Sequence, residues 1–197
     1  MGERVYIFKA FERFWHWSQA GLIIFMLLTG FEIHGSYSLL GFAKAVSYHS
    51  FAAWSLIGLW IFAIFWHLTT GEWRHYIPTT EKVLVVAQYY SSGIFRREPH
   101  PFKPSSLNKH NPLQRLTYLG ILFVSPLIWI TAWLYLFHGS WAAWGLTSLR
   151  LEWVAVGHTI GAFFMLAFLI SHLYLVTTGH TLTAHLKAMI TGWEEVD

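Results

Sequence analysis

From Trp153 to Thr177 the chain reads WVAVGHTIGAFFMLAFLISHLYLVT, 25 residues without one Asp, Glu, Lys or Arg. A helix rising ~1.5 Å per residue needs ~20 apolar residues to cross ~30 Å of hydrocarbon, so this stretch predicts a membrane-spanning helix. Lipid offers the backbone no partner, and a helix satisfies its N–H and C=O groups internally. Two histidines interrupt the run, His158 and His172, 14 residues apart. At ~100° per residue they lie within ~40° of one face and ~21 Å apart along the axis. One helix face thus presents imidazoles at two depths.

Three further apolar stretches precede it, from about Trp17 to Ile33, Val46 to Leu68 and Leu116 to Phe137. The sequence therefore predicts an all-α membrane protein, a four-helix transmembrane bundle forming a single domain over residues 1–197. Composition agrees. Hydrophobic residues make up 55% and charged residues 12%, with a mean hydropathy of +0.43. That is half the ~25% charge of a soluble domain and excludes a solvated globule or a disordered chain. Aromatic residues reach 19%, which suits a bilayer interface or a flat apolar cofactor. The absence of Cys excludes disulfides, iron–sulfur ligation, a thiol nucleophile and covalent c-type haem attachment. The first span is not read as a cleavable signal, because its flank from Phe11 to Trp17 is aromatic and no small-residue cleavage site follows.

Four spans put both termini on one side, together with the segment from Thr69 to Arg115. That side carries Arg4, Lys9, Arg13, Arg74, Lys82, Arg96, Arg97, Lys103, Lys109, Arg115 and Lys187, 11 cations against 2 (Lys44 and Arg150) on the other. The positive-inside rule places both termini in the cytoplasm. It also accounts for the net charge of +3 without invoking nucleic acid. The segment from Thr69 to Asn111 contains Pro78, Pro99, Pro101 and Pro104, which leaves room for one short interfacial helix between Thr80 and Gln88. No internal repeat or low-complexity tract stands out.

Histidine is costly inside a bilayer and marks function by default. Of the 12 His, five lie in or at the ends of spans: His16, His49, His67, His158 and His172. Chain direction sorts them by depth. His16 and His172 fall at the inner end, His49 and His158 at the outer end. Two facing imidazoles in a helix bundle supply both axial positions of a haem iron, so the pairing predicts two haems. Gly21, Gly30, Gly58, Gly157 and Gly161 would let helices or a macrocycle approach, although ordinary helix packing explains each as well. His67 lies 18 residues after His49 on the same face. It ranks second for ligation, replacing His16 or His172, or contacting a propionate or quinone. Arg13 and Lys9, near His16, suit haem propionates or plain positive-inside anchoring.

Other chemistries find no support. No paired-His zinc motif or glycine-rich phosphate loop occurs, and the only Asp is Asp197. Asn111 and Gln114 start the third span level with His172. They suit hydrogen bonds to a quinone and equally a helix cap, with Pro112 at the first helical position.

Several segments resemble the cytochrome b subunits of the formate dehydrogenase-N gamma, thiosulfate reductase and nickel–iron hydrogenase group. They are Glu12-Arg13-Phe14-Trp15-His16-Trp17, the run from His158 to His172 with Tyr174, Ala184 to Gly192, and Lys109-His110-Asn111-Pro112-Leu113-Gln114-Arg115. The likeness covers nearly the whole length and implies a membrane anchor with two haems b in a bacterial cytoplasmic (inner) membrane. It implies the ligands His16, His49, His158 and His172, the set that depth also selects. It further implies a menaquinone or ubiquinone beside the cytoplasmic haem, at His172 and Asn111, with a counterpart for Gln114. The central segment is longer on its Pro-rich side than in that group, so partner contacts do not carry over.

The expected function is electron transfer between a quinone and a redox partner on the outer face. The chain has no flavin or nucleotide motif, so two-electron chemistry on a substrate needs a catalytic subunit and an iron–sulfur or multihaem c-type partner. The alternatives are a stand-alone b-type cytochrome reducing a small acceptor and a His-based membrane transporter. The short outer loops argue against the first. The second would show acidic residues within the spans, where only Glu32 and Glu152 come near, at the outer edge.

Overall fold

A computed structural model of the chain describes residues 3–96, 98–105 and 108–196; Arg97 and Asp197, named above, lie outside them. The described chain forms four candidate membrane-spanning helices with mean hydropathy between 1.2 and 2.0 over their most apolar windows. Two compact units divide it.

The first unit comprises the described residues within 1–77, 103–109 and 179–197. Helix α1 (Ala10–Ile33) packs on α2 (Phe42–Thr70). On α2 the residues Ala45, Ala52, Leu56, Ala63 and His67 are buried. Their spacing traces one helical stripe, and small side chains along it allow close approach. Outside that stripe Phe51, Ile61, Phe62 and Phe65 are exposed, an apolar coat suited to lipid. The turn between the helices is held by Glu32. Its Oε1 accepts the N–H groups of Leu39, Leu40 and Gly41 at 2.8, 2.5 and 2.8 Å, which satisfies donors at the start of α2 that have no helical partner.

The two ends of the chain meet in this unit. Strand β1 (Glu3–Tyr6) pairs antiparallel with β2 (Trp193–Val196), Tyr6 opposite Trp193. This ribbon is an addition to the all-helical plan, and it joins the two ends of the described chain. Its corner is Gly192, at φ +89°, where a Cβ would lie 2.5 Å from the Tyr6 ring and 2.7 Å from the Phe8 carbonyl. A short helix precedes it, which in chain order is the last of six. That helix, Ala184–Thr191, is tied to α1: Trp17 Nε1 donates to Met189 O at 3.2 Å and Arg13 donates to Ile190 O.

The second unit comprises the described residues within 78–102 and 110–178. Helix α3 (Val83–Gln88) is shorter than the sequence predicts, because Lys82 takes a left-handed conformation (φ 57°) that delays its start. Helix α4 (Pro112–Leu136) packs on α5 (Leu151–Val176), and the short helix of the first unit is α6. Gly161 marks a close approach of the two: a Cβ there would lie 2.5 Å from Ile128 Cγ1. Observed helices exceed the apolar runs mainly at their starts, by two residues or more. These added first turns carry polar residues such as Lys44, Gln114, Arg115 and Glu152, which a hydropathy pattern leaves outside the span.

Candidate functional site

Each unit carries one hairpin of long helices, and the two hairpins hold a histidine in the same manner. In the first, His49 is the eighth residue of α2, and its Nδ1 lies 2.9 Å from Thr29 Oγ1 on α1. In the second, His158 is the eighth residue of α5, and its Nδ1 lies 3.0 Å from Thr131 Oγ1 on α4. Small residues adjoin both contacts. A Cβ on Gly30 would meet His49 Cε1 at 3.6 Å, and one on Gly157 would meet Thr131 Cγ2 at 3.3 Å.

The hydroxyls fix the tautomers. Thr29 Oγ1 donates its single proton to its own helix, at 2.9 Å from Phe25 O, and Thr131 Oγ1 does so at 2.7 Å from Leu127 O. Each oxygen then meets the imidazole with a lone pair, so Nδ1 carries the hydrogen and donates. At His158 the Ile128 carbonyl, 3.3 Å from Nδ1, can only accept and requires the same assignment. The lone pair of the ring is therefore on Nε2 in both residues, the form that coordinates iron. This donor set fits axial ligation of haem.

His67 differs. Its Nδ1 donates to Ala63 O at 2.7 Å, within its own helix. The rings of Trp15, Trp66 and Tyr76 surround it at centroid distances of 5.1, 5.0 and 5.3 Å. It is buried, and among the described residues its Nε2 has no hydrogen-bond partner. His16 lies edge-on to Trp17, and the His172 ring stacks on Phe168 at 5.7 Å. Arg13, named for propionates, has a buried Nε without a partner among the described residues. Lys9, named with it, is engaged by Glu72. His16, His49 and His67 belong to the first unit, and His158 and His172 to the second.

That engagement is part of a cluster the sequence does not advertise. Lys109 Nζ lies 2.9 Å from both carboxylate oxygens of Glu12 and 2.6 Å from Glu72 Oε2. Lys9 Nζ lies 2.5 Å from Glu72 Oε1, and His75 Nε2 is 3.3 Å from Glu72 Oε2. The side chains of Lys109, Glu12 and Glu72 are only 3, 4 and 10% exposed. Burial pushes the Glu72 carboxyl up, but hydrogen bonds and charge from Lys109 and Lys9 outweigh it and hold the pKa at about 2. The hydrogen bond to Glu72, against burial, raises the Lys9 ammonium above its ordinary value.

In the second unit Asn111 and Gln114 form a reciprocal cap at the start of α4. Gln114 N–H donates to Asn111 Oδ1 and Asn111 N–H donates to Gln114 Oε1, each at 2.9 Å. Of the two roles the sequence leaves open, this arrangement realises the cap in full. Asn111 Nδ2 also donates to Tyr90 OH at 3.2 Å; Tyr90 OH lies 3.0 Å from His100 Nε2, and His100 Nδ1 lies 2.6 Å from Phe102 O. A hydrogen-bonded chain thus runs from Asn111 to His100. Sequence reading passed over Tyr90 and set His100 aside as a loop residue. It also passed over Thr29 and Thr131, whose one signal is a hydroxyl inside an apolar run at the depth of a histidine.

Residues 7–192 match the family described as prokaryotic cytochrome b561. A protein of Escherichia coli (strain K12) named "Putative cytochrome YdhU" is 29% identical over 200 residues, covering 98% of this chain and 75% of that protein. No solved structure matches the chain.

Proposed function

The chain belongs to the prokaryotic cytochrome b561 family, and from that premise we propose that it is the di-haem b electron-transfer subunit of a respiratory complex in a bacterial cytoplasmic membrane. Family membership makes it a membrane b-type cytochrome. The finer reading adds two haems, with His16 and His172 at the inner depth and His49 and His158 at the outer. The iron, when bound, supplies one-electron exchange. His16, His49, His158 and His172 would hold the haems through their imidazole nitrogens, which would leave the iron to exchange electrons and not to bind a substrate. The formate dehydrogenase-N gamma, thiosulfate reductase and nickel–iron hydrogenase group is the likeness that suggests this role.

The quinone reading places menaquinone or ubiquinone near His172, Asn111 and Gln114. The chain from Asn111 through Tyr90 to His100 supports it, because a quinone taking electrons also takes protons and needs polar groups that exchange them. Arg13, whose Nε has no partner among the described residues, suits an inner propionate. An iron–sulfur or multihaem c-type subunit, joined to a catalytic subunit, would complete the complex on the outer face. Both termini are read as cytoplasmic from the distribution of Lys and Arg.

The observation that carries the proposal is that His49 and His158 each meet a threonine of the neighbouring helix through Nδ1, at matching positions of two hairpins, which leaves Nε2 for iron. The test is haem stoichiometry with spectra of single variants. Two b-type haems per chain are expected. His49→Ala and His158→Ala should remove one and the same haem, and His16→Ala and His172→Ala the other. One haem per chain, or none under adequate haem supply, would overturn the proposal.

A further inference from the structure

The side chains that hold His49 and His158 come from outside the expected ligand set. Each is a threonine on the preceding helix, four or five residues from that helix's end. Each donates to a carbonyl of its own helix and receives Nδ1–H from the histidine. Both are buried, Thr29 at 2% and Thr131 at 7% exposure, so water does not compete for the hydroxyls. The same device occurs in both hairpins although the sequences around it differ: Leu28-Thr29-Gly30 in one, Ile130-Thr131-Ala132 in the other.

We propose that Thr29 and Thr131 are positioning residues of the haem site, setting the ring orientation and the donor strength of His49 and His158. A neutral imidazole whose N–H is bonded to an oxygen is a stronger σ-donor through its other nitrogen. Stronger donation favours ferric over ferrous iron and lowers the reduction potential. The threonine proton is committed to the helix carbonyl, so the hydroxyl cannot turn to donate to Nδ1 without giving up that bond. The device therefore selects one tautomer as well as one rotamer.

This inference rests on the proposed ligation by His49 and His158, and its test separates the two. Thr29→Val and Thr131→Val remove the acceptor and keep a β-branched side chain of the same shape; Thr29→Ser and Thr131→Ser keep the hydroxyl. Redox titration of the purified holoprotein, followed by its haem absorbance, gives the midpoint of each haem. Thr29→Val should raise the midpoint of the haem that His49→Ala removes, by up to a tenfold change in the ferric-to-ferrous ratio at fixed potential, 59 mV for one electron. Thr131→Val should do the same, by less than tenfold because the Ile128 carbonyl retains part of the bond. The serine variants should keep wild-type midpoints. If a valine variant loses its haem while the serine variant keeps it at the wild-type midpoint, the hydroxyl is again required and the inference stands. An unchanged midpoint in the valine variants with haem retained overturns it, as does a serine variant that shifts or loses haem like valine. If His49→Ala and His158→Ala leave every haem in place, the ligation itself fails instead.

Discussion

Replacing Lys109 by Met removes the cation shared by Glu12 and Glu72 and leaves an unbranched side chain in its place. The side chains of Lys109 and Glu12 are 3 and 4% exposed, so water cannot take over. Removing one partner of a buried ion pair costs about 3–5 kcal/mol. Glu72 keeps Lys9 at 2.5 Å, and Glu12 keeps the Lys9 backbone N–H at 2.7 Å, which puts the expected loss at the lower end. The protonation of Glu72 gives a second measure. Its pKa falls from 4.5 to about 2, and at ~1.4 kcal/mol per pKa unit its partners contribute about 3 kcal/mol at neutral pH. For a chain of this size the thermal midpoint should drop by roughly 6–12 °C. Lys9→Met is the comparison: its side chain is 50% exposed, and the loss should be about 1 kcal/mol or less. Thermal unfolding of the detergent-purified protein, followed by Trp fluorescence, measures both. A Lys109→Met midpoint within ~2 °C of wild type, or a Lys9→Met loss as large, would refute the idea that a buried cation holds this end of α1 to the start of the connector.

The same cluster sets an acid limit on stability. Glu72 binds fewer protons folded than unfolded, so its contribution is complete above pH 4.5 and is lost as pH falls towards about 2. Glu72→Gln should be less stable at neutral pH yet lose less between about pH 5 and about pH 3, and parallel pH profiles would remove Glu72 from acid unfolding. A reporter fused after Asp197 should read cytoplasmic, and one inserted between Ser36 and Leu40 external; the reverse readout would swap the faces. His67→Ala should keep both haems, and losing one while His16→Ala keeps both would make His67 the inner ligand. Asn111→Leu and Tyr90→Phe should weaken quinol-driven haem reduction by about tenfold or less, one hydrogen bond of about 0.5–1.5 kcal/mol, with haem spectra unchanged; wild-type rates in both would remove the quinone from this end of α4.

The spans are legible in the sequence because their signal is additive: 25 mostly apolar residues without an Asp, Glu, Lys or Arg have few places to be but lipid. What fixes their ends is not additive. The start of α2 depends on Glu32 meeting three N–H groups seven to nine residues on, a geometry no hydropathy pattern contains. Lys109 reads as one more anchoring cation, because its partner Glu12 is 97 residues away. Asn111 and Gln114 show the opposite case. Their spacing of three residues is itself the cap, so the sequence contains the role the structure displays, and a second role cannot be told from that spacing alone.

The histidines are legible for a different reason: an imidazole in an apolar span is expensive, so each one stands out. Their ranking depends on the atom that receives Nδ1–H. His67 gives it to the carbonyl four residues earlier in its own helix, which lays the ring along α2 and into a box of Trp15, Trp66 and Tyr76. His49 and His158 give it to a threonine on the neighbouring helix. A bond across a hairpin turns the ring off its own helix, so its other nitrogen can meet a group held beyond the helix surface. The common back-bonding of threonine to its own helix carbonyl makes Thr29 and Thr131 look ordinary in a sequence. That same back-bond commits the hydroxyl proton, and so makes each of them an acceptor for the histidine of the neighbouring helix.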